Sequence, residues 1–369
     1  MQTDFGAQKP QQILNWRHKA YRAYRDNLFW KNYQGSNGSG IVERVTEITK
    51  NDRGTTGAML RLIADLPTGG IIGDNQVLGR GQRLQTYWQQ INIDQISNSV
   101  ENKGRLDDQG SVDNFRAEAR DKLGRVDAQT WDELHFLCAS GISFGLNCDG
   151  SPRVPAPGQD DLSDLVFAAD IKPPSANRHF NWTGTALEAG DTSVITASYK
   201  PAYGMIIDAM TEARSRRLPP IRVGGQDMYL FLVHPRTYGT LKKDDDFRTA
   251  IIQGLPRDPK NPVFTGATIT LDGAIIATHN SVFNTKGAAS GSKWGSGSAV
   301  DGTRSLLLGA QALGIADLEV PNMEEQSIDH NRRQSICIEH MGGLLKPQFY
   351  SVYDKSVEDF GVIAIDHAI

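Results

Sequence analysis

Residues 111–140 carry a single apolar stripe long enough to decide what the rest of the chain can do. Val112, Phe115, Ala119, Leu123, Val126, Thr130, Trp131, Leu134, Leu137 and Cys138 recur at three- and four-residue steps. Arg116, Glu118, Arg120, Asp121, Lys122, Arg125, Asp132 and Glu133 fill the positions between them. Ser111 suits an N-cap, Asp113 falls in the first turn, and Ser140-Gly141 marks the stop. The spacing predicts a helix of roughly 40 Å. Gly124 in its middle costs up to about 1 kcal/mol relative to alanine and marks a bend. One stripe on so long a rod predicts that it lies along a sheet or spans a subunit.

The segment before the helix has the opposite character. From Ala58 to Val100 the chain reads as strands separated by glycines, and 88–96 alternates, with Ile91 and Ile93 on one face and Asn92 and Asp94 on the other. Between the strands, 71–85 offers only Ile71, Ile72, Val77 and Leu78 as apolar anchors, with Arg80 and Arg83 beside them. A ribbon with so little core of its own is marginal in water. Either it is disordered or another chain covers it.

Residues 10–33 read as a further helix with a wide apolar arc, followed by a soft tether at 34–40. Its Arg17, Lys19, Arg22, Arg25 and Lys31 alternate with Trp16, Tyr21, Tyr24, Phe29 and Trp30. That pattern fits either contact with a polyanion or, more simply, an amphipathic helix docked on a neighbour. Residues 149–200 are turn-rich, with 193–198 the best strand in them. A compact α/β block follows over 201–318: a helix at 203–216, a wholly apolar strand at 229–233 suited to a sheet centre, a helix at 237–252, and a hairpin around Asp272-Gly273. A Gly/Ser-rich loop holding Trp294 covers 286–302, and strands return at 335–339, 346–350 and 361–366. These last strands are expected to rejoin the sheet beside the long helix.

Composition limits the functions open to such a chain. Its 39 Lys and Arg against 43 Asp and Glu leave a net charge of −4, without the basic excess of a protein that grips phosphates. The 37 glycines among 369 residues suit many turns and long loops. Cys138, Cys148 and Cys337 form no metal-ligand spacing and read as reduced thiols of a cytosolic protein. No apolar run approaches a membrane span, and the N-terminus lacks a signal core. Nucleophile elbows, Walker loops, dinucleotide fingerprints and zincin helices are all missing. Asp107-Asp108, Asp244–Asp246 and the Asp329-His330 pair with His340 are weak metal candidates, better read as solvated charge and ordinary histidines. A tethered arm, a ribbon without a core and one long helix beside an α/β block instead suggest an assembly subunit.

The order of several blocks resembles the N4-type major capsid proteins of tailed phages, which have the Hong Kong 97 capsid fold. The residues that carry the likeness are 74–110, including Trp88-Gln-Gln-Ile-Asn-Ile-Asp-Gln95 and Gly104-Arg-Leu-Asp-Asp-Gln109, and the helix through Trp131 to Gly141. Leu232-Val-His-Pro235, Asn261-Pro-Val-Phe-Thr-Gly266, Leu307-Leu-Gly-Ala-Gln311, Glu324 to His330 and Asp359 to Asp366 continue it. The match covers most of 58–366, and no block is catalytic.

The resemblance implies an α+β fold with an N-terminal arm (1–57), an extended E-loop (58–110), a spine helix (111–141) and a peripheral domain with an insertion (142–200). It further implies an axial domain (201–318) and a return to the peripheral domain (319–369). It implies a structural protein of the virion, not an enzyme, made and assembled in the bacterial host cytoplasm, with no cofactor, no metal and no membrane partner. Copies would form hexamers and pentamers of an icosahedral head around double-stranded DNA held by confinement, together with portal, scaffold and cement proteins. Leu78, Arg80, Arg83, Tyr87 and Trp88 would make the E-loop contacts between subunits, and Trp16, Arg22, Arg25 and Trp30 those of the arm. For Trp88, burial in its own subunit's core is the competing expectation. An encapsulin-like compartment, another phage assembly protein and, less readily, a cytoplasmic hydrolase are the rival functions.

Overall fold

The computed structural model describes residues 28–36, 38, 40–45, 57–63, 69–82, 86–104, 115–254, 269–317, 321–330 and 332–369. The apolar stripe forms the helix Phe115–Ser140, 26 residues and about 39 Å long. Its two halves face different partners. Ala119 and Leu123 pack on Met323, Ile336 and Ile338, while Trp131, Leu134 and Leu137 enter a larger core with Leu230, Leu232, Leu306 and Leu308. The rod therefore bridges two sheets; at the crossover Val126, expected on the stripe, is exposed, and Asp127 and Ala128 are buried instead.

The first sheet is built on the long strand Arg333–Leu345. Leu313–Asp317 and Asn322–Ile328 share one side of it end to end, while Asp94–Glu101 pairs with the other. Val42–Val45 and Gln34–Gly35 extend the sheet in parallel beyond Leu313–Asp317. Gly342 and Gly343 make its close contacts. A Cβ on Gly342 would sit 2.9 Å from the Trp131 ring, and one on Gly343 would collide with the Asn92 carbonyl oxygen.

The second sheet runs Ile269–Leu271, Ala274–Thr278, Gln226–Val233, Gly302–Leu308, Val362–Ala368, His179–Trp182 and Leu187–Ala189, with Ile221–Val223 also on Gln226–Val233. The apolar strand lies between two others, as its composition requires. Leu230 and Leu232 face the long helix's core, whereas Phe231 and Val233 face the helices Tyr203–Ser215, Pro235–Leu241 and Asp245–Gly254. Asp272 (φ 50°) and Gly273 (φ 84°) form the hairpin turn after Ile269–Leu271.

Several local expectations are corrected. The helix expected at 237–252 is broken at Lys242–Asp244, where the Asp244 carboxylate accepts a hydrogen bond from the Tyr203 N–H at 2.7 Å, at the start of another helix. Residues 193–198 form no strand; a short 3-10 turn covers Thr192–Val194, and the excursion's strands are His179–Trp182 and Leu187–Ala189. Phe29–Tyr33, the described end of the arm helix, is 3-10 helix, and Gln34–Gly35 is paired into the sheet, so the expected tether is docked.

Strand pairing also cuts across the expected domain boundaries. Asp94–Glu101, assigned to the E-loop, belongs to the first sheet. The final strand Val362–Ala368 sits in the second sheet, where Val362 and Ala364 share the long helix's core as expected of a strand beside it, while Leu313–Asp317, assigned to the axial block, lies in the first sheet. Hydrogen-bond partners are chosen across the fold and need not follow sequence neighbourhood.

Candidate assembly interface

The ribbon begins as an antiparallel pair, Gly57–Ile63 with Thr86–Asn92. Alternation gives it two unlike faces. Ala58, Leu60 and Ile91 turn inward and pack, with Tyr87 half-buried beside them, against Ala316, Leu345 and Phe349. Gln89 fixes the ribbon's root to the body: its Nε2 donates to the Gln348 carbonyl at 2.6 Å, and its Oε1 accepts from the Gln348 N–H at 3.0 Å. The other face carries Met59 and Trp88, and both are exposed.

Beyond the paired strands nearly all the described ribbon residues are exposed. Ile72 is 84% exposed, Val77 68% and Leu78 85%, and Trp88 on the strand is 69% exposed. Arg80 is exposed as well. Fully burying a leucine side chain is worth about 1.5–3 kcal/mol; this subunit leaves nearly all of that unrealised at Leu78. Trp88 is thus outside its own core, contrary to the competing expectation. Tyr87 is engaged by its own subunit. Arg83, Trp16, Arg22 and Arg25 lie outside the described residues, as do Asp107 and Asp108.

Trp30 is a correction. It is fully buried against His135 and Phe136 of the long helix, so it serves its own subunit's core. The Asp132 carboxylate holds this piece of arm by accepting the Phe29 N–H at 2.9 and 3.2 Å. Burial raises Asp132 to about 7 despite the backbone N–H groups of Phe29 and Trp30 that pull it down. Sequence periodicity put Asp132 on the outer, charged side of the helix, because nothing local reveals that the arm covers it. The loop tryptophan, Trp294, is likewise buried, beside Phe283.

Behind the interface the subunit is braced by buried charge. Arg304 makes a two-pronged pair with Asp366 at 2.7 Å on both arms and donates to the Ser140 carbonyl at 2.8 Å, tying the end of the long helix to the second sheet. Lys346 and Asp359, both fully buried, meet at 3.0 Å. His340 lies between Asp127 at 3.4 Å and Asp317 at 3.6 Å, under the Trp131 ring. Burial alone would lower its pKa, but hydrogen bonds and charge from the two carboxylates outweigh this and raise it to about 9.

These groups brace the fold from within. Asp329 and His330 occupy a left-handed turn between two strands, apart from the partners that His340 engages. Burial pushes the Cys138 and Cys148 thiols up to about 12, far from the thiolate that reactive chemistry requires. Among the described residues no group of three or more His, Cys, Asp or Glu could hold a metal ion, and no helix is long and apolar enough to cross a membrane. The sequence reading also missed a second exposed apolar area, Tyr350, Val352, Tyr353 and Val357 on the hairpin Gln348–Asp359. Its signal was the alternation within 348–359.

Known proteins agree with this picture. The profile of a family described as phage capsid protein matches residues 4–369. The major capsid protein of Pseudomonas phage KPP25 is 35% identical over 368 residues, which cover 98% of this chain and 96% of that protein. Among solved structures, the capsid of Ralstonia phage GP4 superposes with a TM-score of 0.74 at 21% identity, covering 92% of this chain and 91% of that one. The capsid asymmetric unit of cyanophage Pam1 gives a TM-score of 0.70 at 16% identity over the same shares. The architecture is therefore the α+β, Hong Kong 97-type capsid fold. With a profile match over nearly its whole length, the chain belongs to the phage capsid protein family.

Proposed function

We propose that this phage major capsid protein, a component of the virion that assembles into a lattice of its own copies, closes that lattice as hexamers and pentamers of an icosahedral head around double-stranded DNA. The observation that carries the reading is the ribbon. Leu78 at 85% and Trp88 at 69% exposure are apolar surfaces that the described residues of the subunit leave uncovered. Leu78, Arg80 and Trp88, with Arg83, form the clasp on a neighbouring subunit; Tyr87 supports it from the ribbon's inner face. Trp16, Arg22 and Arg25 of the arm add further contacts, and many such weak contacts sum over a closed shell.

In this reading 57–92 is the working E-loop, Phe115–Ser140 the spine helix, the first sheet the peripheral platform and the second sheet with its helices the axial domain. The net charge of −4 suits DNA held by confinement, since a motor-driven duplex need not be gripped. The protein acts mechanically, without catalysis. Assembly takes place in the host cytoplasm, with portal, scaffold and cement proteins as the remaining partners.

The test is the pair Arg80→Asp with Arg83→Asp, expressed and viewed by electron microscopy. The subunit stays folded and particles fail to form; normal particles would overturn the clasp. Nuclease-protected DNA in wild-type particles checks the cargo, and packaged enzyme in its place would favour a compartment.

A further inference from the structure

We infer that the tip of each ribbon docks into a cleft at the root of the next subunit's ribbon. The inference rests on reading the ribbon as an intersubunit clasp and names the surface that receives it. The cleft, about 180 Å³, lies between the hairpin Gln348–Asp359 and the turn at 216–219, and Leu62 of the subunit's own ribbon lines it. That volume is below the 300–1,000 Å³ of small-molecule pockets. It suits a few side chains from another polypeptide.

The lining has the chemistry of an unfilled protein contact. Tyr350, Val352 and Tyr353 are 43%, 40% and 49% exposed around it. Arg217 stacks over the Tyr353 ring at 3.9 Å, is exposed, and pairs with no carboxylate among the described residues. Arg178 also lines the cleft; it is only 4% exposed, yet its Nη1 has no hydrogen-bond acceptor among the described residues. A buried guanidinium nitrogen without an acceptor is costly, so the occupant should bring oxygen atoms as well as apolar groups.

The ribbon tip supplies both. Ile72, Val77 and Leu78 are its exposed apolar side chains, and Asp74 is the one carboxylate of 69–82. Each main-chain carbonyl of this exposed tip is a further acceptor group with two lone pairs. Apolar groups match the aromatic lining, and Asp74 matches Arg217 in charge. The tip does not reach its own root in this subunit, where it stands exposed. The 22 residues at 64–85 extend by at most ~35 Å per limb, far enough to overlap an adjacent copy. Tip-to-root contact joins two different patches, the head-to-tail kind of contact that forms a ring when its rotation closes, as a capsomer needs.

A photo-crosslinking amino acid placed at Leu78 in particles assembled from mixed light and heavy-isotope subunits tests the inference. The expected product is a light–heavy crosslink to 348–359 or 216–219. Crosslinks to another surface of a neighbour would overturn the cleft while leaving the clasp intact; crosslinks confined to one subunit would overturn both. Charge reversal supplies the second arm. Asp74→Arg, on an exposed tip where it cannot unfold the subunit, should lower particle yield at least tenfold, and Arg217→Asp should do the same. Combining them should restore yield. Full assembly by either single variant would overturn the pairing, as would failure of the combination.

Discussion

Leu78→Ser separates assembly from folding more cleanly than any other change. The side chain is 85% exposed in the subunit, at a turn with no strand to maintain. A substitution of that kind shifts subunit stability by no more than about 0.5 kcal/mol. Covering the leucine with a neighbour releases most of the ~1.5–3 kcal/mol that full burial provides, about 2 kcal/mol per subunit. That corresponds to an increase of about 30-fold in the subunit concentration at which shells appear. Light scattering and sedimentation over a concentration series would locate the threshold, and urea unfolding of unassembled subunits would check stability. An unchanged threshold would refute the reasoning, as would a loss of more than about 1 kcal/mol in the subunit.

Three further outcomes concern the subunit itself. Trp131→Ala empties a fully buried site between the spine helix and Gly342, and should cost about 3–5 kcal/mol, read as a lower urea midpoint. His340 is raised from 6.5 to about 9, so its contribution is complete below about pH 6.5 and lost as pH rises through about 9; thermal melts across pH 6–10 should show this decline, and His340→Gln should remove it. Asp132 is likewise raised, to about 7, so its contribution is present at low pH and lost as pH rises through about 7. Asp132→Asn keeps an acceptor for the Phe29 N–H without a buried charge and should hold the arm at pH 8, whereas Asp132→Ala should release it, measured as faster amide exchange at 28–33.

Much of the architecture was legible because its signals are local. The spine helix follows from side chains recurring every three or four residues, and Asp272-Gly273 announces its hairpin through the left-handed backbone that such a turn needs. The ribbon was legible through a deficit, too few apolar anchors for its length. Strand partners were not legible in this way. Nothing in 361–368 says that Val362–Ala368 will lie between Gly302–Leu308 and His179–Trp182, since that pairing joins segments far apart in sequence. The break at Lys242–Asp244 was equally hidden, because Asp244 is recruited by the N–H of Tyr203 from another helix.

Trp30 and Trp88 show where the division lies. Both sit in polar, aromatic-rich stretches, and the sequence by itself determined only that each side chain wants cover. The tertiary structure decided which one finds it at home: Asp132 draws the arm onto the spine helix and seals Trp30, while strand alternation turns Trp88 away from the body. Burial is settled by what arrives from elsewhere in the fold, and a residue's own neighbours along the chain carry no record of that arrival.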